Sequence, residues 1–280
     1  MYKIFLSVRN RLAITTKCIT SIRKYSELPH QIYVFDNSTN YKIQEHFMYF
    51  SLLYERGFIT QYTVNSNEST FNAFSKAVSC NQFGLHHEQD PDKDKFDFLL
   101  ILDNDIIIVQ QGWDRILKNA WDDVNKHHMN HIKVIGQLPG GISSRKDCLV
   151  KIAGFNAQIG IHGGSGFWSV RPNFFRDVGY LDLKPLVGHD KKHDQNYWKK
   201  MEQVNNKKEY ILGLDTKLVI HTGGLAGSIC NTLTKNRSPY LKKPVNDLIK
   251  FEESDKEIDS LTFNDFYNKI INNNDMINNW

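Results

Sequence analysis

The sequence predicts an α/β protein with a mostly parallel sheet flanked by helices and with a helical appendage at its C-terminus. In the first half of the chain, short β-branched and aromatic runs alternate with segments whose apolar residues recur at helical spacing. Such alternation indicates strand–helix units around a parallel sheet. The apolar run of residues 96–109 is typical of a strand buried on both faces. From Pro244 onward the chain is polar and asparagine-rich, with two further helical patterns.

The elements follow one another in a regular order. The first three predicted strands are residues 2–8, 31–35 and 59–64. The helices predicted to follow them are residues 13–25, 43–54 and 70–80. After the apolar run, the patterns predict a helix at 113–126, a strand at 133–138, a β-ribbon at 151–161, helices at 173–178 and 194–204, and a strand at 217–221. We expect one domain over residues 1–240, and over 241–280 a helical extension that serves as an appendage or pairs copies of the chain.

The composition narrows the class of protein. The chain has 280 residues, of which 40% are hydrophobic and 24% charged, values close to those of soluble globular domains. A net charge of +4 suits a phosphate-bearing substrate and is too small to indicate nucleic-acid binding. The sequence contains no run of about 18 apolar residues that would span a membrane. No signal peptide precedes the first predicted strand, so we expect a cytoplasmic location, with peripheral membrane attachment left open.

The four cysteines are scattered, without a close pair. This spacing matches neither a zinc site nor a dense disulfide framework. A reducing compartment is consistent with it. The cysteines are Cys18, Cys80, Cys148 and Cys230.

Two carboxylates interrupt the apolar run, in the sequence Asp103-Asn104-Asp105. Ionised carboxylates beside a buried strand are costly unless a cation neutralises them. Mg²⁺ and Mn²⁺ prefer oxygen ligands and often bind through one or two carboxylates together with substrate phosphates. The pair therefore predicts a metal–diphosphate site at the carboxyl end of a central strand, where open α/β sheets bind ligands. The alternative is a simple turn, because Asp and Asn favour turns.

Further polar or glycine-rich segments follow the other predicted strands in a fixed order. No GxxxxGK[ST] loop and no GxGxxG after a strand accompany them. The segments are SVRN (7–10), FDNS (35–38), NSN (65–67), GGSGFWSVR (163–171), FFRDVGYLD (174–182), HDQNY (193–197) and VIH (219–221).

This ordered set resembles the glycosyltransferases of the GT-A fold, in particular the family 2-like inverting enzymes, over roughly residues 1–225. The segments at 163–171 and 174–182 carry most of the resemblance. It implies a GT-A (Rossmann-like nucleotide-diphospho-sugar transferase) fold with a nucleotide-binding half at 1–110 and an acceptor-side half at 111–240. It also implies a nucleotide-sugar donor, with a UDP-sugar favoured, and Mn²⁺ or Mg²⁺ as cofactor.

The resemblance assigns roles residue by residue. Val8 and Arg9 would line the base pocket, and Asp36 would bind the base or ribose, although Asp36 is also a typical turn-forming residue. Asp105 would ligate the metal together with Asp103, which would also lie near the ribose and sugar. His221 would be a further metal ligand or a diphosphate contact, although a histidine that ends a strand is also often a hydrogen-bonded structural residue. The remaining donor-binding residues would be Asn65, Asn72, Asn104 and Gly164. The sequence departs from the family pattern at Lys76-Ala77, where a small residue or glycine is usual.

An inverting transfer needs a general base that deprotonates the acceptor hydroxyl. In the family this base is a carboxylate of a Glu-Asp pair at the start of a helix. Here His193 replaces the expected Glu. Asp194 is the first candidate and Asp190 the second, and one of them is also expected to cap the helix.

The function predicted from this resemblance is sugar transfer to an acceptor hydroxyl. A glycan, a lipid-linked glycan, a protein or a modified nucleic-acid base would each serve as acceptor. The alternatives are a nucleotidyltransferase-like enzyme and a non-catalytic nucleotide- or sugar-binding module.

Overall fold

A computed structural model describes residues 1–8, 12–38, 43–65, 72–137, 144–160, 166–183, 193–206 and 209–221. The strands in these ranges are β1 (Tyr2–Val8), β2 (His30–Asp36), β3 (Gln61–Val64), β4 (Phe98–Asp103), β5 (Ile106–Ile108), β6 (Val134–Gln137), β7 (Ser144–Ile152), β8 (Phe155–Gly160), β9 (Phe167–Val170), β10 (Ile211–Leu214) and β11 (Val219–His221). The helices are α1 (Leu12–Tyr25), α2 (Ile43–Glu55), α3 (Asn72–Gln89), α4 (Trp113–Lys126), α5 (Phe174–Val178) and α6 (His193–Val204).

Nine of these strands form one sheet, in the order β3-β2-β1-β4-β9-β6-β10-β8-β7. The first four are mutually parallel, and β9 runs antiparallel between β4 and β6. β6 and β10 are parallel, and β8 and β7 complete the sheet in antiparallel pairing. The predicted mostly parallel α/β architecture is therefore confirmed for the described residues.

Two apolar cores lie on the two faces of this sheet. Alternate residues of β1 divide between them: Ile4 and Leu6 belong to the core that contains α1, α2 and α4, and Phe5 to the core that contains α3, α5 and α6. Every residue of β1 is buried, because both faces of the strand are covered by helices. This burial explains the nearly continuous apolar character of the central strands.

The apolar run at residues 96–109 forms two strands, which corrects the prediction of a single one. β4 ends at Asp103 in the large sheet, and β5 pairs antiparallel with β11 in a separate two-stranded sheet. The chain turns at residues 104–105 between them. The two carboxylates therefore occupy a turn between two sheets, and we call Asp103–Asp105 the acidic turn.

Other boundaries differ less. α3 continues to Gln89, beyond the predicted end at residue 80, and β7 begins at Ser144, before the predicted ribbon. Strands β9 and β10 were not predicted. Among the helices that the structure describes, none has both the length and the apolar character needed to cross a membrane. The predicted extension at 241–280 lies outside the described residues, so the domain boundary stays a prediction.

Close packing at α3 and a buried ion pair at β1 are two further features of the fold. Gly84 of α3 lies against α5, so that a Cβ added there would come within 2.5 Å of the ring of Phe175. On β1 the fully buried Lys3 forms an ion pair with Asp90. Its ammonium also lies 4.6 Å from the centre of the Phe96 ring. This pair belongs to the amino-terminal edge of the parallel strands, away from the acidic turn.

Candidate active site

The carboxyl ends of the parallel strands bring the predicted site residues to one edge of the sheet. In the strand register, Ser7 lies opposite Asp103, Val8 opposite Asp36, and Asp36 opposite Val64. Residues that follow β1, β2, β3 and β4 are therefore neighbours although they are distant in sequence. This edge is the usual ligand-binding position of an open α/β sheet.

Asp103 forms an ion pair with Lys76 of α3: the lysine Nζ contacts the carboxylate Oδ1. The lysine side chain is 8% exposed and that of Asp103 26%. From the sequence, Lys76 is recognisable only as a departure from the family pattern. A signal was present, because Lys76 shares a helical face with Cys80 and Phe83, which are buried. A lysine on a buried face requires an acidic partner.

Asp105 lies beside the strand that carries His221. β5 pairs with β11 in a register that sets His221 directly opposite Ile106, the residue after Asp105. Among the side chains that the structure describes, no group of three His, Cys, Asp or Glu forms a metal cluster; the His221 side chain lies outside that set. Carboxylate and imidazole are donor groups that Mn²⁺ accepts, and carboxylates also suit Mg²⁺.

Asp36 is fully buried, and its carboxylate is bonded within the protein. Oδ1 accepts the backbone N–H of Ser38 at 2.9 Å, and Oδ2 accepts the hydroxyl of Tyr62 at 3.0 Å and lies 3.2 Å from Nδ1 of His46. Burial, and then the charge of Asp36, raise the pKa of Tyr62, so the phenol remains a donor. The bond to Ser38 is the turn-forming interaction considered as the alternative role. Contact with a base or ribose stays a prediction.

Two other predicted donor-binding residues also use their side chains inside the protein. The amide nitrogen of Asn65 donates to Ser79 Oγ at 2.8 Å and lies 2.9 Å from Gln82 Oε1. The amide nitrogen of Asn104 donates to Thr15 Oγ1 at 2.8 Å. These bonds fix the residues that follow β3 and β4.

The third such residue, Val8, is a core residue. Its side chain is fully buried in the core that contains α1. Its backbone carbonyl accepts the N–H of Asn37 at 2.8 Å, which ties the end of β1 to the end of β2.

Helix α6 begins at the same edge as the acidic turn. Its last turn leads to Asn205, which donates to the carbonyl of His131 just before β6. Because β6 is parallel to β4, that contact lies at the amino-terminal edge of the sheet. Asp194, in the first turn of α6, is therefore placed toward the carboxyl edge by the direction of the helix.

The remaining predicted residues are described only in part or not at all. Asn72 and Asp194 lie in the first turns of α3 and α6, where the backbone is described and these side chains are not. Arg9, Gly164 and Asp190 lie outside the described residues. The choice between Asp190 and Asp194 as base stays open.

No protein-family model and no curated protein matches this sequence. Solved structures are similar in fold. The mannosyltransferase PcManGT from Pyrobaculum calidifontis, in complex with GDP-Man and Mn²⁺, matches with a TM-score of 0.51 and 10% identity over 88% of this chain and 68% of that one. TarS of S. aureus matches with a TM-score of 0.45 and 17% identity over 78% of this chain. TarS 1–349 in complex with UDP has a TM-score of 0.45 and 16% identity over 78% of this chain.

The architecture is that of the GT-A glycosyltransferases, which confirms the predicted fold class. At 10% identity, the likeness to the mannosyltransferase concerns the fold. This chain spans 36% of the TarS chain and 59% of the TarS 1–349 chain in the UDP complex.

Proposed function

We propose that this protein is a metal-dependent glycosyltransferase that moves a sugar from a nucleoside-diphosphate sugar to an acceptor hydroxyl with inversion. One observation carries the proposal: in a GT-A fold, the acidic turn stands at the carboxyl edge of the parallel strands, beside the strand that bears His221. A diphosphate donor with a divalent cation suits a site of this composition. A UDP-sugar is the favoured donor.

Asp105 and His221 are the residues proposed to hold Mn²⁺ or Mg²⁺, with Asp103 as a third ligand. When bound, the cation stabilises the negative charge that develops on the leaving nucleoside diphosphate. Lys76 has a related role in the chain itself. It neutralises Asp103 while no donor is bound, and its ammonium is a suitable partner for a donor phosphate.

The proposed general base is a carboxylate at the start of α6. Asp194 occupies the first turn of that helix, and Asp190 is the second candidate. The base takes the proton of the acceptor hydroxyl as its oxygen attacks the anomeric carbon. Asp194→Asn should lower the turnover rate while donor binding is retained. If Asp190→Asn has this effect instead, the base is Asp190.

The test is a screen of nucleotide sugars for Mn²⁺-dependent hydrolysis and for a rise in melting temperature. A ligand that binds the native state raises the melting temperature, and the protein should release a nucleoside diphosphate from at least one donor. Asp105→Asn is the inactive control. Pyrophosphate release would instead indicate a nucleotidyltransferase.

The ion pair between Lys76 and Asp103 favours a second candidate, a non-catalytic nucleotide- or sugar-binding module. A lysine that keeps one carboxylate neutralised weakens the site for a metal. Calorimetric titration with nucleoside diphosphates and Mn²⁺ separates the two candidates when it is combined with the hydrolysis assay. Binding without any donor hydrolysis or transfer would support the module.

A further inference from the structure

Helix α1 presents a polar stripe to the acidic turn. Thr15, Cys18 and Ser21 recur every three residues and so share one face of the helix. Thr15 and Cys18 are fully buried, and Ser21 is nearly so. Polar groups at such positions are favourable only when they are hydrogen-bonded.

The partners of this stripe lie in and just after the acidic turn. Asn104 donates to Thr15 Oγ1 at 2.8 Å, and the Cys18 thiol lies 3.9 Å from the carbonyl oxygen of Asp103. The backbone N–H of Ile108, in β5, donates to Ser21 Oγ at 3.0 Å. Successive turns of one helix thus bind the segment that carries both carboxylates.

The same pairing continues beyond β5. The N–H of Gly112 donates to the carbonyl of Tyr25 at 2.9 Å, and the indole N–H of Trp113 donates to Ser26 Oγ at 3.2 Å. The carboxylate of Asp114 accepts the backbone N–H groups that follow Ser26. Contacts at residues 103, 104, 108 and 112–114 therefore fix this segment to α1 and to the residues that follow the helix.

This contact matters because the sheets do not fix the turn by themselves. β4 ends at Asp103 in one sheet, and β5 begins at Ile106 in the other. The position of Asp105 relative to Asp103 therefore depends on what holds residues 104–105. The bond from Asn104 to Thr15 acts at that point.

We propose that Thr15 and Ser21 are positioning residues that hold the acidic turn in the geometry its ligand requires. The effect of these two residues on metal binding and turnover rests on the proposed function, whereas their contacts with the acidic turn and with β5 do not. Residues that orient metal ligands typically change metal affinity or activity by about 10- to 100-fold when they are replaced. Thr15→Val removes the acceptor and keeps the volume, whereas Thr15→Ser keeps the hydroxyl.

A matched control lies one position along the helix. Thr16 is also buried, and its hydroxyl donates to the carbonyl of Leu12 in its own helix at 2.9 Å. Thr16→Val is therefore the same chemical change at similar burial, directed away from the acidic turn. Asn104→Ala removes the bond to Thr15 from the side of the turn, so a folding defect of Thr15→Val would not leave the question undecided.

The first measurement is amide hydrogen exchange over residues 103–109 in the protein without metal. We expect about tenfold faster exchange in Thr15→Val and Asn104→Ala, because the loss of one hydrogen bond makes local opening easier. Exchange at the Ile108 amide should be faster in Ser21→Ala. Thr15→Ser and Thr16→Val should exchange as the wild type does. Wild-type exchange in Thr15→Val, Asn104→Ala and Ser21→Ala would overturn the proposal.

The second measurement is calorimetric titration with MnCl₂ alone, followed by kcat with a donor. Thr15→Val and Asn104→Ala should raise the Kd for Mn²⁺ about tenfold or more and lower kcat, and Thr15→Ser should restore both. Unchanged Mn²⁺ affinity in these variants would also overturn the positioning role. If the wild type binds no Mn²⁺ and turns over no donor, the proposed function fails. The exchange rates still decide whether Thr15 and Ser21 hold the acidic turn in place.

Discussion

Lys76 is the residue whose replacement most directly tests how the acidic turn is charged. Lys76→Met keeps the length and the apolar stem of the side chain and removes the ammonium that contacts Asp103. We expect two opposite effects. The free energy of unfolding should fall, because Asp103 loses its partner. The affinity for Mn²⁺ alone should rise, because a cation no longer competes with a lysine.

The expected sizes follow from burial. Breaking a fully buried ion pair from one side costs about 3–5 kcal/mol. Asp103 keeps 26% exposure, so water offsets part of this cost, and a loss of about 1–3 kcal/mol is expected. Two unit charges about 4 Å apart interact by about 4 kcal/mol at an effective dielectric constant near 20. If a third of this energy opposes metal binding, removal of the lysine charge raises the affinity for Mn²⁺ about tenfold.

The assay pairs urea unfolding with calorimetric titration of MnCl₂ in the absence of donor. Lys3→Met is the matched control, because Lys3 is also a buried lysine with an acidic partner, Asp90. Lys3 lies opposite Leu99 in the register, whereas Asp103 lies four residues farther along β4. At about 3.3 Å per residue, the backbone positions of Lys3 and Asp103 are roughly 13 Å apart along the strands. Lys3→Met should therefore lower stability and leave Mn²⁺ affinity unchanged.

A Lys76→Met protein that loses stability but binds Mn²⁺ with wild-type or weaker affinity would contradict this prediction. Asp103 would then not be a metal ligand, and Lys76 would be a structural partner of that carboxylate. A gain in Mn²⁺ affinity together with weaker binding of a nucleoside diphosphate would instead support both roles proposed for the lysine.

Three further predictions follow. Asp105→Asn should abolish Mn²⁺-dependent donor turnover and leave the melting temperature within a few degrees of wild type; wild-type turnover would exclude the metal role of Asp105. Gly84→Ala should destabilise by about 1–3 kcal/mol in urea unfolding, because the clash with Phe175 outweighs the roughly 1 kcal/mol gain in helix propensity. Burial lowers the pKa of His87, so the unfolded chain binds its proton first and stability falls as pH drops below about 6.5. His87→Gln can still donate to the Pro172 carbonyl and should make unfolding free energies less pH-dependent between pH 7.5 and 5.5; an unchanged slope would contradict this.

Helices and strands could be predicted from the sequence wherever the apolar periodicity and the length of the segment indicated the same type of element. The predicted bounds of β1 and α4 match the structure, since each has a strong pattern that ends in polar or glycine residues. β10 was missed because a four-residue apolar run that contains Gly213 gives little pattern. The turn at residues 104–105, where one strand ends and the next begins, was missed for a different reason. The apolar residues before and after this turn are buried whether they belong to one sheet or to two, so composition alone does not reveal that the chain passes from one sheet to the other.

The hydrogen-bond partners of the site residues were much harder to predict from the sequence than the positions of these residues in the fold. The resemblance directed attention to Asp36, Asn65 and Asp103, which lie in or directly after parallel strands at the carboxyl edge of the sheet. Which atom each residue offers to a ligand depends on neighbours that are distant in sequence. Tyr62 bonds to Asp36, and Lys76 bonds to Asp103. Neither pairing leaves a periodic signal in the chain.

These internal bonds have a consequence for how the edge works. Asp36, Asn65 and Asn104 each form side-chain hydrogen bonds to β3, α3 or α1. Together these three residues make a hydrogen-bonded floor beneath the carboxyl edge. A fixed floor limits the reorganisation that a site needs when charge develops in the reaction, and such preorganisation is a main source of catalytic stabilisation. Substitutions in this floor should therefore lower kcat under the proposed function, and a rise in the Kd of a nucleoside diphosphate in the same variant would indicate that the replaced residue also contacts the donor. Changes at Asp105 remove a proposed metal ligand and should affect both kcat and donor binding.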